Sequence, residues 1–388
     1  MVPLLSGLFG SNSKQRRHFV AIDIGSNTAI RSLLMERTAQ GLATLKKHSF
    51  ELPVRERQTD LIAPVSEYLR NLLFQYLRTI GRAPDQTILG LGNYFTFNEV
   101  ATVARARREP ASAISPAELQ EILDEFLEEH REKIRAEASY TIAHLMPFRM
   151  SVDGYPVNAL SRHTRGRTIE VTMLATYVLI PYWEALSRLR TTLGGLAIEF
   201  VSNHAAVAAA AVSSLKVQSA LIVKIGSRVT EISILWDGAI RSATQFRIGG
   251  DDFTDAIARR LGFAHADAER MKRQLESTLL PGKTKAATLE AIRIVAERWV
   301  GELAGVLRKE DRFLLPERVF LIGGGARLGV VAETLRTRRW YGELTFFEHL
   351  EIEVLKAEDL LAPRMAAAPL KLSGPEEVAL AALVLRLA

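Results

Sequence analysis

Two strand–turn–strand units, about two hundred residues apart, constrain this chain more than any other feature. The first reads His18-Phe19-Val20-Ala21-Ile22-Asp23-Ile24, then a polar break at Gly25-Ser26-Asn27-Thr28, then Ala29 to Met35. The second runs Ala220 to Ile225, turns at Gly226-Ser227-Arg228, and continues from Val229 to Trp236. Short apolar runs bounded by glycine and small polar residues are strand and turn signals. Both units share Ile-Gly-Ser at the turn, which points to a duplicated hairpin. Duplicated hairpins at the starts of two halves imply two similar α/β domains facing each other across a cleft.

The length of 388 residues allows two to three domains with large cores. Hydrophobic residues make up 48% and charged residues 24%, which excludes disordered and collagen-like classes. There is no cysteine, so disulfide scaffolds, thiolate metal sites and cysteine nucleophiles are excluded, and the cytoplasm is the default compartment. A net charge of +6 favours an anionic partner without choosing among lipid, nucleotide and nucleic acid. No stretch approaches the ~18 apolar residues a spanning helix needs. At the N-terminus the basic residues follow the apolar ones, the reverse of a secretory signal.

Between the halves the pattern changes. Ser115, Pro116 and Glu118 open a helix, with the hydroxyl as cap and Glu118 able to reach back. Leu119, Ile122, Leu123, Phe126 and Leu127 follow at helical spacing. Strand-like runs from Tyr140 to Met150 and Thr168 to Val178 flank a turn at Asp153-Gly154 and a basic loop with Arg162, His163, Arg165 and Arg167. We read residues 1–17 as a tail, 18–92 and 168–213 as the first domain, 93–167 as an inserted α+β subdomain, 214–345 as the second domain, and 346–388 as a return to the first. Gly323-Gly324-Gly325-Ala326-Arg327 follows a strand from Arg318 to Ile322.

A nucleoside triphosphate needs backbone N–H donors in tight turns and a carboxylate near its magnesium. Asp23, Gly25, Ser26, Asn27 and Thr28 supply such a set. Three glycine loops occur in the order hairpin, hairpin, strand-Gly-Gly-Gly. That order resembles the phosphate and adenosine motifs of the actin, sugar-kinase and heat-shock-70 ATPase superfamily, and within it the chain looks most like the bacterial actin-like cell-division family FtsA. The resemblance spans about residues 18–388 and includes Gly249-Gly250, Asp267-Ala268-Glu269 with Lys272, and the insertion in the first half. It implies an α/β, actin-like two-domain ATPase fold with a nucleotide cleft. It also implies ATP and magnesium as ligands, with Asp23 reaching the metal through water and the Ser26 to Thr28 turn facing the phosphates. Gly226, Ser227, Arg228, Thr230 and Glu231 form the second phosphate loop. Glu269 and Lys272 approach the ribose, and Gly323, Gly324, Gly325 and Arg327 the adenine.

This sequence departs from the family pattern at Lys224, where the second phosphate loop carries an Asp, and at Ser227 and Arg228, which replace glycines; the closing Asp becomes Glu231. Loss of that carboxylate removes a group that positions hydrated magnesium and attacking water. The Lys224 ammonium replaces part of the metal's charge beside the phosphates, pairs with Asp23 and fills the cleft without nucleotide, or points elsewhere. In the first two cases hydrolysis is expected to be poor. Exopolyphosphatases share the opening motif but need acids in the second loop, which Lys224, Ser227 and Arg228 do not provide.

The resemblance further implies self-association into filaments, an anionic membrane surface as partner, and docking of the tubulin-like division GTPase FtsZ. The family's docking hairpin is replaced by a short connection between Leu275 and Thr288, and its C-terminal membrane helix is replaced by a helix belonging to the first domain. The anchor candidate is the tail: Leu4, Leu5, Leu8 and Phe9 share a helical face, followed by Lys14, Arg16 and Arg17. The expected location is the inner face of the cell membrane, peripherally bound. The basic loop lacks interleaved aromatic residues, so no nucleic-acid partner is expected. A pilus-assembly scaffold resembling PilM is the alternative role.

Overall fold

A computed structural model of the chain describes residues 18–25, 29–51, 58–137, 139–157, 164–275, 281–310, 314–337, 340–342, 344–346, 349–362, 365 and 368–387. The first half comprises β1 (His18–Ile24), β2 (Ala29–Thr38), β3 (Gly41–Glu51), α1 (Ile62–Ile80), β4 (Gln86–Leu91), β5 (Thr96–Ala106), α2 (Pro116–Glu137), β6 (Tyr140–Val152), β7 (Tyr155–Pro156), β8 (Thr168–Leu179), α3 (Ile180–Thr192), β9 (Ile198–Ser202) and α4 (Asn203–Ser213). The second continues with β10 (Ala220–Ile225), β11 (Thr230–Trp236), β12 (Ala239–Phe246), α5 (Gly250–Leu261), α6 (His265–Arg273), α7 (Gly282–Glu310), β13 (Arg318–Ile322), α8 (Gly329–Thr337), β14 (Glu351–Val354), α9 (Ala357–Leu361) and α10 (Val378–Leu387).

The duplication extends to whole sheets. One sheet has the order β3-β2-β1-β4-β9 and the other β12-β11-β10-β13-β14. In each, the first three strands form an antiparallel meander and the last two run parallel to the third. The same close approach recurs at the end of the central strand. A Cβ on Gly92 would lie 2.5 Å from the Ile24 carbonyl oxygen, and one on Gly323 would lie 2.6 Å from that of Ile225. Only glycine lets the loop after the fourth strand cross the end of the third that closely.

Alternation along each strand divides the packing. Phe19 and Ala21 of β1, and Ala220 and Ile222 of β10, face a common inner core with the alanine-rich α4 and α10, which is apolar but for Arg386. Their neighbours turn outward: Val20, Ile22 and Ile24 pack on α1 and α3, and Leu221, Val223 and Ile225 on α5, α7 and α8. Two apolar helices between two sheets thus form the floor of the cleft, which joins the halves.

The third sheet, β5-β8-β6-β7, carries α2 on one face, where Ile122, Leu123 and Phe126 meet Ile169, Val171 and Met173. The expected boundary at Arg167 falls just before β8, yet β8 pairs with both β5 and β6. A strand central to the sheet belongs with it, which favours ending the subdomain at Leu179. Likewise β14 pairs with β13 beyond the expected boundary at residue 345. Ser115 caps α2 as expected, its Oγ accepting from the Glu118 N–H at 3.1 Å. The Glu118 carboxylate does not reach back; it takes two hydrogen bonds from the buried Arg107 guanidinium at 2.8 and 2.9 Å.

Candidate functional site at the hairpin cleft

Strand alternation decides which residues look into the cleft. Asp23 follows Ala21, and Lys224 follows Ile222, so both lie on the inner faces of their sheets, at the ends of the central strands where ligands bind in open α/β sheets. They occupy equivalent positions of the duplicated hairpins with opposite charges. Their cross-strand partners are inverted too: Asp23 lies opposite Arg31, and Lys224 opposite Glu231.

Lys224 Nζ donates to Glu231 Oε1 at 3.1 Å, with the two side chains 11% and 1% exposed. Its ion-pair partner is Glu231 rather than Asp23, which feels its charge. Glu231 also reaches the other half. The Asn93 backbone N–H donates to Oε1 at 3.4 Å, and His204 Nε2 lies 3.4 Å from Oε2. His204 Nδ1 bonds the Ser233 hydroxyl, and Nε2 lies 2.7 Å from Asn93 Nδ2. Burial lowers the His204 pKa to about 4, against the pull of Glu231 and with the help of Lys224. The ring is therefore neutral, and with Asn93 donating to Nε2 its single proton sits on Nδ1, toward Ser233.

From Asn93 the polar chain enters the inserted subdomain. Asn93 Oδ1 accepts from Asn98 Nδ2 at 2.8 Å, and Asn98 Oδ1 accepts from Thr176 Oγ1 at 2.8 Å and Ser202 Oγ at 3.0 Å. Asp23 Oδ1 accepts from Asn203 Nδ2 at 2.8 Å. Burial raises the Asp23 pKa, with Lys224, Arg31 and Asn203 opposing and Glu231 adding to the rise.

The other expected residues have their own partners. Gly25 N–H donates to Ala29 O at 2.9 Å and Gly226 N–H to Val229 O at 3.0 Å, closing the two turns. The N–H groups of Gly250 and Asp251, at the start of α5, donate to Gly226 O and Ser227 O at 2.8 and 2.7 Å. Arg228 bridges Asp251 at 3.3 Å and the Tyr94 hydroxyl at 3.2 Å. Thr230 corrects the expectation for that residue. It faces the outer core, donating to Ile248 O and accepting from Trp299 Nε1, because neighbours on a strand point to opposite faces and Glu231 takes the cleft side.

Of the residues expected near a ribose, Lys272 Nζ lies 2.6 Å from Glu269 Oε2 and donates to Gly250 O at 2.8 Å. Burial pushes the Glu269 carboxyl up, but Lys272, Thr254 and Arg273 bring it down to about 2. Gly324, Gly325 and Arg327 form a single 3-10 turn after Gly323, whose N–H donates to Pro375 O at 2.8 Å. Arg327 makes a two-pronged bond to Glu376 at 2.8 and 2.5 Å. Ser26, Asn27 and Thr28 lie outside the described residues, as do Leu4, Leu5, Leu8, Phe9, Lys14, Arg16 and Arg17.

Magnesium needs carboxylate lone pairs free to take the ion or its waters. Glu231 gives Oε1 to Lys224 and Asn93, Asp23 gives Oδ1 to Asn203 while burial favours its neutral form, and the Lys224 ammonium already supplies a positive charge beside both acids. The described residues do not fit the ion, and they contain no group of three or more His, Asp or Glu able to ligate a metal.

Neither a family model nor a curated protein matches the chain. Its fold is nonetheless shared by solved structures. A chain of the PilM–PilN type IV pilus biogenesis complex aligns over 96% of this chain and 98% of its own, at TM-score 0.66 and 19% identity. The ethanolamine utilization protein EutJ from Carboxydothermus hydrogenoformans aligns over 99% and 95%, at TM-score 0.51 and 14% identity. The chain has an actin-like ATPase fold.

Proposed function

We propose that this chain is an actin-fold adaptor that works by holding other proteins at a membrane surface, with little or no ATP hydrolysis. The observation that carries the reading is the Lys224–Glu231 pair: the acid at the second hairpin is neutralised in place. ATP, where it binds, serves as a structural ligand. One-dimensional self-association through the inserted subdomain, and attachment by the Leu4 to Arg17 tail, belong to the same role.

Two forms of that role follow from the resemblances: a division adaptor of the FtsA kind, docking FtsZ, and a pilus-assembly scaffold of the PilM kind. The second is supported by the alignment with the PilM–PilN complex over nearly both whole chains. The short sequence distance between α6, ending at Arg273, and α7, starting at Gly282, also favours the second form.

Phosphate release by the full chain with magnesium and ATP tests the reading. Turnover well below a kinase's ~1 per second is expected, and a rate above it refutes the adaptor role. Deletion of the gene in its source organism separates the two forms. Loss of surface pili with normal division supports the scaffold, and undivided filamentous cells support the division adaptor.

A further inference from the structure

In an actin-like fold the two hairpins face each other, and a metal-bound phosphate between them is one way to join the halves. The described residues do not fit that metal, yet the halves are joined at the same place. We propose that this protein closes its two halves with its own side chains: Lys224 and Glu231, met from the other half by Asn93 and His204, stand in for the bridging ligand, and the closed arrangement needs neither nucleotide nor magnesium.

Glu231 is the centre of the device. It is buried on the second-half sheet, neutralised from its own side by Lys224, and bonded from the opposite side by the Asn93 N–H, with His204 3.4 Å away. His204, on α4, ties the first half to the same strand β11 again through Ser233. A carboxylate so placed would repel an incoming phosphate were it bare; paired with an ammonium it is a neutral bridge. Further out, Arg228 reaches Tyr94 and Arg273 reaches Glu51 across the same cleft, at 3.2 and 2.7 Å. Below it the inner core is continuous between the sheets. Asn98 and Thr176 extend the bonding from Asn93 into the third sheet, so the bridge also sets how the inserted subdomain sits.

The chain has no cysteine, so two can be introduced without background. Glu67→Cys on α1 and Arg270→Cys on α6 lie on well-exposed positions of opposite halves, away from the bridge. Spin labels at these sites report the separation of the halves by pulsed dipolar spectroscopy. One narrow distance is expected in the full chain without nucleotide, unchanged by magnesium alone or by saturating magnesium-ATP. Lys224→Met should broaden the distribution, and Lys224→Arg, which keeps the charge, should restore it. A broad distribution that magnesium-ATP narrows overturns the proposal, and so does a Lys224→Met profile identical to the parent's. If Lys224→Met fails to fold, the parent measurement with and without magnesium-ATP decides alone. Phosphate release measured on the same labelled sample separates this proposal from the adaptor reading. Turnover at an unchanged distance refutes the adaptor and keeps the bridge, whereas a nucleotide-driven shift without turnover does the reverse.

Discussion

Acid should loosen this protein through His204, and the size of the effect follows from its surroundings. The imidazole is fully buried, and its pKa falls from 6.5 to about 4, chiefly through burial, with Lys224 adding to the fall and Glu231 opposing it. A histidine depressed in the folded state binds fewer protons there than in the unfolded chain. Its neutral form therefore stabilises the fold fully above pH 6.5, and that contribution is lost as the pH falls through the folded pKa. A tenfold difference in proton affinity between the folded and unfolded chain corresponds to ~1.4 kcal/mol, so between pH 6.5 and about pH 5 the loss from His204 is of order 2 kcal/mol. His144, lowered to about 3 by burial and by Arg386, acts in the same direction. The raised Asp23 acts in the opposite direction. Total stability is thus a poor readout, and the difference between the parent and His204→Gln is the right one. Glutamine keeps a donor and an acceptor but does not titrate. In urea unfolding followed by tryptophan fluorescence, the gap between parent and variant should shrink by that ~2 kcal/mol over the same interval. Parallel loss of stability in the two proteins, with a constant gap, would show that His204 does not titrate between these states and refute the reasoning.

Three further outcomes are expected. Lys224→Asp leaves three carboxylates at the cleft corner where two now share a cation, so it should lose about 3–5 kcal/mol in chemical unfolding. Millimolar magnesium should recover part of that loss, and phosphate release should rise above the parent's; a variant as stable as the parent contradicts the ion-pair assignment. Arg107→Ala removes the guanidinium that holds Glu118 and the Ser112 and Gly166 carbonyls. Hydrogen exchange should rise through β5, α2, β6 and β8 but not in the two main sheets, and uniform exchange would count against a separately held subdomain. Deletion of residues 1–13 should abolish sedimentation with anionic vesicles and leave polymerisation in solution intact, and undiminished pelleting would move the anchor elsewhere.

The hairpins could be read directly because their signals are local. The apolar runs ending at Ile24, Ile225 and Ile322 are strands to the residue, since each is bounded by glycine. The β8 boundary could not be read so, because its membership is set by pairing with β5, more than sixty residues upstream. Local pattern alone could not say which sheet an apolar strand joins. The same limit hid the polar partners of the site. Asn93 meets Glu231 across 138 positions, and Asn203 meets Asp23 across 180. One signal was available: Ser202-Asn203-His204 stands directly before the alanine run of α4, and all three are buried. Polar residues that enter a buried helix must find partners there.

The inverted charges let a cleft of this fold balance its acids with its own lysine. Two carboxylates at the equivalent positions of facing hairpins repel, and burial penalises each of them; a site built that way is stable only when a cation sits between, or when one acid is protonated. Exchange of one acid for lysine removes both problems, provided that the lysine finds an acid beside it. Here strand pairing supplies one, because position 231 lies opposite position 224 in the antiparallel ladder. The glutamate side chain is one methylene longer than aspartate. That reach lets the carboxylate meet the ammonium at 3.1 Å and still accept from the Asn93 N–H of the other half. Lys224 and Glu231 are therefore coupled choices. Glu231→Asp is expected to keep the charge balance but lose the cross-cleft bond, and would separate neutralisation of the cleft from its closure.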